Sequence, residues 1–491
     1  MNDHAQPARD AFKRAFQLLD KHLQREAERP VADFAPPAEL AARLDVTLPE
    51  GEGRDLDAVF DRLDQVLDAT PRSTTTRFFN QLFSGRDPVA VAGEILASAI
   101  NTSMYTYKAA GPHALIERAL TDHMCKKLAF HNGEGVLAPG GSLANFCAML
   151  MARDRAVPTY KDHGPPPQPL TLYTSNLCHY SIPKNANMMG VGRHNVRRIE
   201  TDHRGRMLPD ALDRAIQQDL DHGAIPFFIN ATAGTTVLGA FDPIDPIADV
   251  AHKHDLWLHI DGCLGASAVL STEHRHLLDG VHRADSVCWN AHKAMGVPLS
   301  CSAILTRERG LLFDTFNQTA TYLFQSDEDQ FNMGTMSIQC GRRNDALKLF
   351  AAWLHHGDAG YDRRITHLFD LARHAADIVR QDPHMTLSKD PESMTVCFEV
   401  DGKPSDDLCE RLRRDGLEVV GFAHVDRRRV IRLACLNADA TTDDIDRFFH
   451  HLRQVAADCP GGDNAVDSSA SAAPSDSAPT TVATPRGRGA Q

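Results

Sequence analysis

Two apolar segments, LWLHIDG (256–262) and SVCWNAHK (286–293), decide the fold of this 491-residue chain. Each is a short β-rich run that ends in polar residues, with Asp261 closing the first and His292 and Lys293 closing the second. Similar apolar runs are LTLYTS (170–175), IPFFINATAG (225–234) and CSAILT (301–306). Because helical segments separate most of these near-continuous apolar strands, the sequence predicts an α/β fold, a mostly parallel sheet covered on both faces.

The flanking segments have other patterns, and they divide the chain into four parts. Residues 1–85 carry amphipathic helical segments too thin to form a core, and residues 86–364 carry the sheet. Residues 365–459 have the pattern of a small α+β domain. Residues 460–491 are rich in Ser, Ala, Pro, Thr and Gly, so we expect a disordered tail. The N-terminal helices must therefore pack on another surface, and we expect that surface to belong to a partner subunit.

Composition and charge exclude several classes of function. The net charge of -13 argues against nucleic acid as the main partner, because phosphate backbones bind basic surfaces. No apolar run is long enough to span a bilayer, and the N-terminus lacks the apolar run of a signal peptide. The 11 cysteines are scattered without a CxxC pair, as in a reducing compartment. We therefore expect a cytoplasmic protein with a small-molecule substrate and no nucleic-acid, membrane or metal partner.

A glycine-rich turn, LAPGGSLAN (137–145), opens a helix. Backbone N–H groups at Gly141, the Ser142 hydroxyl and the helix dipole would together favour an anion such as a phosphate. Many helices begin with Gly and Ser without binding an anion. The turn therefore indicates a phosphate site only in combination with other features.

Asp261 and Lys293 end two strands that lie one βα unit apart, at the sheet edge where α/β proteins bind ligands. A lysine there can form an imine with an aldehyde, and a carboxylate can keep a pyridine nitrogen protonated. His179 lies just beyond LTLYTS and could stack on a planar ring, and NATAGTTVLGAFDP (230–243) supplies a Gly/Thr turn. Each residue alone is more often a helix cap, a surface group or a structural histidine; the combination predicts a site.

Longer segments extend this pattern from Arg77 to the helix that follows Asp443. They are RFFNQLFSG (77–85), ASAINTSMYTY (97–107), LAPGGSLAN, INATAGTTVLGAFDP (229–243), LWLHIDG, HRHLLDGVHRADSVCWNAHKAMGVPLSCSAIL (274–305), TYLFQ (321–325) and IQCGR (338–342). In this order they resemble the group II pyridoxal-5'-phosphate (PLP)-dependent decarboxylases, above all the glutamate and cysteine-sulfinate decarboxylase branch. The resemblance implies a fold type I large domain with a mostly parallel seven-stranded sheet, a PLP cofactor and a homodimer.

The resemblance also implies a role for each site residue. Lys293 would bind the cofactor covalently, and Asp261 would pair with its pyridine nitrogen. His179 and Cys263 would pack on the two faces of the ring. The other implied contacts are Gly141, Ser142, Ser286 and His292 with the phosphate, Thr236 near the ring, and Asn80, Gln81 and Arg432 with the substrate. The implied reaction is decarboxylation of a small polar L-amino acid to an amine and CO2. Arg432 favours an acidic side chain, although 2,4-diaminobutyrate enzymes are also related.

Three departures from the family pattern matter, at Cys263 and Leu264, at Ala291 and at Phe331, and the third has the largest consequence. The mobile-loop tyrosine that returns a proton after CO2 loss aligns with Phe331, in DQFNMGTM (329–336), and Phe has no proton to give. In some plant members a Phe here accompanies oxygen-dependent conversion to an aldehyde. Two alternatives to simple decarboxylation therefore stay open. One is decarboxylation coupled to oxidative deamination, and the other is a degenerate PLP-binding regulatory protein, against which intact Lys293, Asp261 and His179 argue.

Overall fold

The structure, a computed structural model, describes residues 5–318, 323–324 and 331–466. The strands within those residues are β1 Glu134–Ala138, β2 Leu170–Ser175, β3 Val196–Ile199, β4 Ile225–Thr232, β5 Trp257–Asp261, β6 Ser286–Asn290, β7 Ser302–Thr306, β8 Met385–Leu387, β9 Thr395–Val400, β10 Gly421–Val425 and β11 Arg428–Ala434. The helices are α1 Gln6–Arg25, α2 Pro37–Leu44, α3 Leu56–Ala69, α4 Pro88–Ile100, α5 Tyr107–Ala110, α6 Pro112–Lys127, α7 Gly141–Ala156, α8 Tyr160–His163, α9 Ser181–Met188, α10 Pro209–Asp221, α11 Ile244–Lys253, α12 Leu311–Phe316, α13 Ala346–Gln381, α14 Ser405–Arg414 and α15 Thr442–Asp458.

Seven strands form the large sheet, in the order β1-β7-β6-β5-β4-β2-β3. β7 runs antiparallel to both of its neighbours, and the other pairs are parallel. Strands β5, β6 and β7 are buried along their whole length because helices cover both faces of the sheet. The predicted α/β fold with a mostly parallel seven-stranded sheet is therefore confirmed.

The direction of the strands gathers their carboxyl ends at one edge of the sheet. β1 is antiparallel to β7, and β7 is antiparallel to β6, so β1 points the same way as the parallel strands β2, β4, β5 and β6. Each of these five strands leads directly into one of the segments that the sequence analysis predicted to contain site residues. Ligands in open α/β sheets bind at this edge.

The small domain has the order β10-β11-β9-β8, with antiparallel pairing throughout. Helices α13 and α15 pack against each other, and α14 packs on β11. The expected boundary between residues 364 and 365 falls inside α13, which serves both domains and bends at Gly357, where φ is 58°. A glycine is suited to this bend because φ lies in the left-handed region.

Residues 461–466, which were expected to belong to a disordered tail, pack on the small domain. Asn464 is buried, and its side chain accepts from the backbone N–H of Ser405 and donates to the backbone oxygen of Lys403. The backbone N–H of Val466 donates to the oxygen of Arg427. Residues 461–466 are therefore part of the small domain, which corrects the boundary, and residues 467–491 lie outside the described residues.

The N-terminal helices confirm the predicted amphipathic pattern, but their apolar side chains are exposed. Phe12 and Phe16 of α1 keep 52% and 53% of their surface exposed, and α3 likewise exposes several of its apolar residues. Ion pairs such as Lys21–Asp64 join α1 to α3. The described part of the chain contains no helix long and apolar enough to cross a membrane.

Candidate active site

A cavity of about 230 Å3 opens at the carboxyl ends of the parallel strands. Its lining residues are Gly141, Ser142, His179, Tyr180, Thr232, Gly234, Thr236, Asp261, Cys263, Asn290, His292 and Lys293. Gly141 and Ser142 follow strand β1, and His179 and Tyr180 follow β2. The remaining residues lie at the ends of β4, β5 and β6 or just after them. The sequence placed eight of these residues in a cofactor site, and the fold brings all eight to one cavity.

Asp261 ends β5 and is almost completely buried. Its Oδ2 accepts a hydrogen bond from Asn145 Nδ2 at 2.9 Å, and its Oδ1 accepts from the backbone N–H of Cys263 at 3.2 Å. Burial raises the pKa of Asp261, but hydrogen bonding from Cys263 and the positive charge of Lys293 outweigh it and hold the pKa below its usual range. Asp261 is therefore a carboxylate inside the cavity, as pairing with a protonated pyridine nitrogen requires.

Behind Asp261, a hydrogen-bonded chain fixes the position of the carboxylate. Asn145 Oδ1 accepts from His259 Nε2 at 3.0 Å, and His259 Nδ1 lies 2.8 Å from the Ser286 hydroxyl. Burial lowers the pKa of His259 to about 4, so the imidazole is neutral and carries its single proton on the nitrogen that faces Asn145. The indole of Trp257 donates to the same Ser286 hydroxyl at 2.9 Å.

This arrangement corrects the predicted role of Ser286. The residue begins β6 and is fully buried, whereas the cavity lies at the opposite end of that strand. Its hydroxyl is occupied by Trp257 and His259. Ser286 therefore supports the imidazole behind Asp261, and it is not a phosphate ligand in this structure.

The two histidines of the cavity are held by local hydrogen bonds. His179 Nδ1 lies 2.8 Å from the Ser181 hydroxyl, and burial lowers the pKa of His179. His292 Nδ1 lies 3.0 Å from the backbone nitrogen of Cys301. Burial, followed by the charge of Lys293, lowers the pKa of His292 to about 4. Both rings are neutral at pH 7 and can act as hydrogen-bonding or stacking groups.

The turn at Gly141 fits a phosphate group. A side chain at Gly141 would place its Cβ 2.2 Å from Cys263 Sγ and 2.8 Å from Asn290 Nδ2, so only glycine fits there. The preceding residue, Gly140, has a φ of 146°, a backbone conformation that side chains rarely adopt. Helix α7 begins at this turn, and its first backbone N–H groups carry the positive end of the helix dipole. Together with Lys293 and Asp261, the turn meets the chemical needs of PLP.

The predicted substrate residues lie beside the cavity rather than within its lining. Arg432 of β11 donates from Nη1 to the backbone oxygen of Thr236 at 3.2 Å and from Nη2 to the backbone oxygen of Asn80. Its Nε is buried without a hydrogen-bond partner among the described residues. Gln81 is exposed. The sequence-based roles of Asn80 and Gln81 in substrate binding stay predictions.

Phe331 does not reach the cavity of its own chain. Its ring packs against Tyr107, with 5.8 Å between the ring centroids. The residues just before it, 325–330, lie outside the described residues, as do Thr321, Tyr322 and Gln325 of the TYLFQ segment. The expectation that this loop serves the partner subunit's site therefore stays a prediction.

Sequence reasoning missed the supporting residues Asn145, Ser181 and His259, and the lining residues Tyr180 and Asn290. A signal existed for His259, because residues two apart in a strand share one face and His259 precedes Asp261 by two. Asn145 lies one helical turn after Gly141, which places both on one face of α7. The others follow from tertiary packing alone.

The fold and the cavity define a class of enzyme that uses PLP. The chain matches the family model for the pyridoxal-dependent decarboxylase conserved domain over residues 37–401. It is 38% identical over 466 residues to the cysteine sulfinic acid decarboxylase of Homo sapiens, covering 90% of this chain and 94% of that protein. It is 35% identical to the glutamate decarboxylase of Drosophila melanogaster, covering 87% and 89%. The chain therefore belongs to the pyridoxal-dependent decarboxylase family.

Solved structures agree with this assignment. The crystal structure of mouse CSAD matches with a TM-score of 0.87 and 36% identity, covering 91% of this chain and 98% of that chain. The structure of Oryza sativa TDC with PLP and tryptamine matches with a TM-score of 0.86 and 25% identity, covering 93% and 99%. The chain is thus a fold type I amino-acid decarboxylase with PLP as cofactor. This confirms the predicted enzyme class and the predicted cofactor. It excludes the alternative of a degenerate regulatory protein.

Proposed function

We propose that this enzyme decarboxylates a small L-amino acid with an acidic side chain, and that Arg432 binds the side-chain acid. The observation that carries the proposal is the state of Arg432. Its guanidinium forms no ion pair with a carboxylate in the described ranges, and its Nε is buried without a partner. A half-buried guanidinium that has an unsatisfied Nε and no ion pair among the described residues favours the binding of an anion. The relatives named above act on cysteine sulfinic acid and glutamate, both of which carry a second acid.

The site residues divide the chemistry between them. Bound PLP supplies an aldehyde for the substrate amine and a pyridinium ring that accepts the electrons released as CO2 leaves. Asp261 keeps that ring cationic, and the Asn145–His259 chain holds the carboxylate in place. Gly141, Ser142 and His292 would bind the phosphate, while His179 and Cys263 would pack on the ring. Lys293 holds the cofactor covalently between turnovers. Thr236 joins the two subsites, because its backbone oxygen orients Arg432.

A substrate panel tests the assignment of Arg432. Arg432→Gln should raise the KM for cysteine sulfinate, glutamate and aspartate by roughly tenfold to a hundredfold, the scale of a lost hydrogen bond to a charged group. It should change kcat much less, because the side-chain acid does not take part in bond breaking. The matched control is Arg428→Gln, which changes an exposed arginine at the start of the same strand. Equal KM values in wild type and Arg432→Gln would disprove the proposal.

A second candidate is decarboxylation coupled to oxidative deamination, and Phe331 is the observation that favours it. The carbon left after CO2 loss must take a proton or meet an oxidant, and a phenyl ring cannot supply the proton. The enzyme should therefore leak toward aldehyde under air. Phe331→Tyr should raise the ratio of amine to aldehyde, with Phe331→Leu as the hydroxyl-free control. Amine, aldehyde and peroxide are measured under air and under nitrogen. Identical ratios in all three proteins would show that residue 331 does not control the outcome.

We further propose that the enzyme is a homodimer in the cytoplasm. Helices α1 and α3 are joined by ion pairs and keep their apolar side chains exposed, and a partner subunit would cover them. A dimer would also let the loop that carries Phe331 reach the partner subunit's cavity. Sedimentation of the active enzyme should give twice the mass of the chain. An active monomer would contradict this part of the proposal.

A further inference from the structure

Cys263 and Cys288 bring two thiols together at the wall of the cofactor cavity. Their Sγ atoms lie 3.2 Å apart, within hydrogen-bonding distance for sulfur. Cys263 lines the cavity, whereas Cys288 lies inside β6 and is fully buried. Pairing of β5 with β6 sets this approach, because Asp261 and Cys288 are register partners and Cys263 follows Asp261 by two residues.

The thiol pair touches two parts of the cofactor site. A carboxylate oxygen of Asp261 lies within 4.8 Å of both sulfurs, and the Cys263 backbone N–H donates to Asp261. Cys263 Sγ also lies close to the glycine turn, because a Cβ added at Gly141 would be only 2.2 Å from this sulfur. A covalent change at Cys263 therefore acts on both the ring carboxylate and the phosphate turn.

We propose that Cys263 and Cys288 are a peroxide-reactive dithiol site, which forms a disulfide when the cavity holds no cofactor and thereby impairs loading of PLP. A disulfide has an S–S length of about 2.05 Å, so the two sulfurs must approach by about 1 Å. Cys288 is fixed in a central strand, so Cys263 makes most of the movement. That movement shifts the N–H group that holds Asp261.

The oxidation requires only a hydroperoxide as its second reactant. The cavity-facing Cys263 thiolate attacks one oxygen of hydrogen peroxide, the O–O bond breaks, and hydroxide leaves and takes a proton to become water. The Cys288 thiol then loses its proton and its sulfur attacks the sulfenic sulfur of Cys263, so that the S–O bond breaks and a second water leaves. Two thiols lose two electrons in total, and peroxide gains them. An excess of external thiol reverses the reaction.

Cofactor occupancy decides whether the pair is reachable. Cys288 has no exposed surface, so a reagent can reach the pair only through Cys263 and the cavity. Bound PLP would occupy this cavity and so would block access to Cys263. The pair is therefore sensitive in the cofactor-free enzyme and protected in the loaded enzyme.

The test compares the full chain with PLP and after its removal by hydroxylamine. Both forms are treated with hydrogen peroxide, and linked peptides and free thiols are then measured by mass spectrometry. The cofactor-free form should lose two of its eleven free thiols through a Cys263–Cys288 link, and it should regain PLP absorbance more slowly or incompletely. Dithiothreitol should restore both the thiols and the PLP absorbance. The loaded form should lose neither thiol.

Variants separate this site from other cysteines. Cys263→Ala should abolish the effect of peroxide on PLP loading, and Cys288→Ala should abolish the disulfide link. Cys263→Ala also abolishes the link and serves if Cys288→Ala does not fold. Cys340→Ser removes an exposed thiol and should respond to peroxide as wild type does. The proposal is overturned if no Cys263–Cys288 link forms, if the linked protein loads PLP normally, or if PLP gives no protection.

Discussion

At the scale of single residues, burial and nearby positive charge have opposite effects on the pKa of Asp261. Burial alone would favour a neutral acid, but hydrogen bonding from Cys263 and the positive charge of Lys293 lower its pKa. Asn145 adds a hydrogen bond to the carboxylate. A buried carboxylate held in this way can stabilise a cation on the ring that it faces, and such preorganised charge is often the largest contribution to catalysis.

Asp261→Asn should therefore lower kcat while the protein keeps its fold. Removal of one preorganised group of this kind costs about 100-fold to 1000-fold in kcat, and loss of a full charge should cost at least that much. Steady-state kinetics with saturating PLP measure the change, and Asp221→Asn, an exposed change at the end of α10, is the control. A rate within a few-fold of wild type would remove Asp261 from the mechanism.

At the scale of elements, helix α7 owes its place in the site to Gly141. The glycine lets α7 begin against Cys263 and Asn290, which no side chain would allow. The sequence predicted this turn because Gly and Ser at a helix start suit an anion. The family resemblance placed Ser286 at the phosphate instead of behind Asp261, because only the folded sheet shows which end of β6 faces the cavity.

Gly141→Ala should weaken PLP binding by about tenfold or more, since the turn must move and lose hydrogen bonds to a charged group. Adding Cys263→Ala should recover part of the affinity, because it removes the nearest clashing atom. Titration of PLP by absorbance gives the Kd of each variant, with Gly51→Ala in an open loop as the control. Unchanged affinity in Gly141→Ala would show that this turn does not bind the phosphate.

The sequence predicted the strands that are long apolar runs. It did not predict a strand that forms because of its pairing with a neighbour. LTLYTS coincides with β2, and the other four predicted runs each contain a strand. β3, VRRI, carries two arginines at a sheet edge, and its partner β2 rather than its own composition makes it a strand. The reversed direction of β7 had a signal, because only a short connection follows β6 and a parallel crossover needs a dozen or more residues.

At the scale of the whole molecule, two buried histidines link the site to stability. The pKa values of His259 and His292 are both lowered to about 4 by burial. Between pH 6.5 and 4 the unfolded chain binds protons that the folded chain does not, so their contribution to stability is complete above pH 6.5 and falls as pH falls.

The free energy of unfolding should therefore decrease between pH 6.5 and 5 by up to about 1.4 kcal/mol per pH unit for each histidine. Urea unfolding at pH 7.5, 6.5, 5.75 and 5 measures the decrease, and His259→Gln should show a shallower pH dependence than wild type. Stability that stays constant across this interval would contradict neutral, buried histidines at both positions.

The division of a chain into domains is harder to read from its sequence than a site at strand ends, for a physical reason. Helix α13 packs against α4 in the large domain and against β8, β9 and α15 in the small domain, and the two cores divide along this helix between Phe369 and Leu371. Phe78 of the N-terminal segment forms a bridge with Val419 of the small domain. Contacts between segments distant in sequence leave no local pattern, whereas residues at strand ends do.

We propose that this cavity holds PLP covalently on Lys293. Borohydride reduction is the most direct test of this bond. Reduction of the purified enzyme makes the cofactor bond permanent, and peptide mapping then identifies the modified residue. We expect one labelled lysine, Lys293, and we expect Lys293→Ala to lose the label, the imine absorbance and the activity together. A label on any other lysine, or an active Lys293→Ala enzyme, would contradict it.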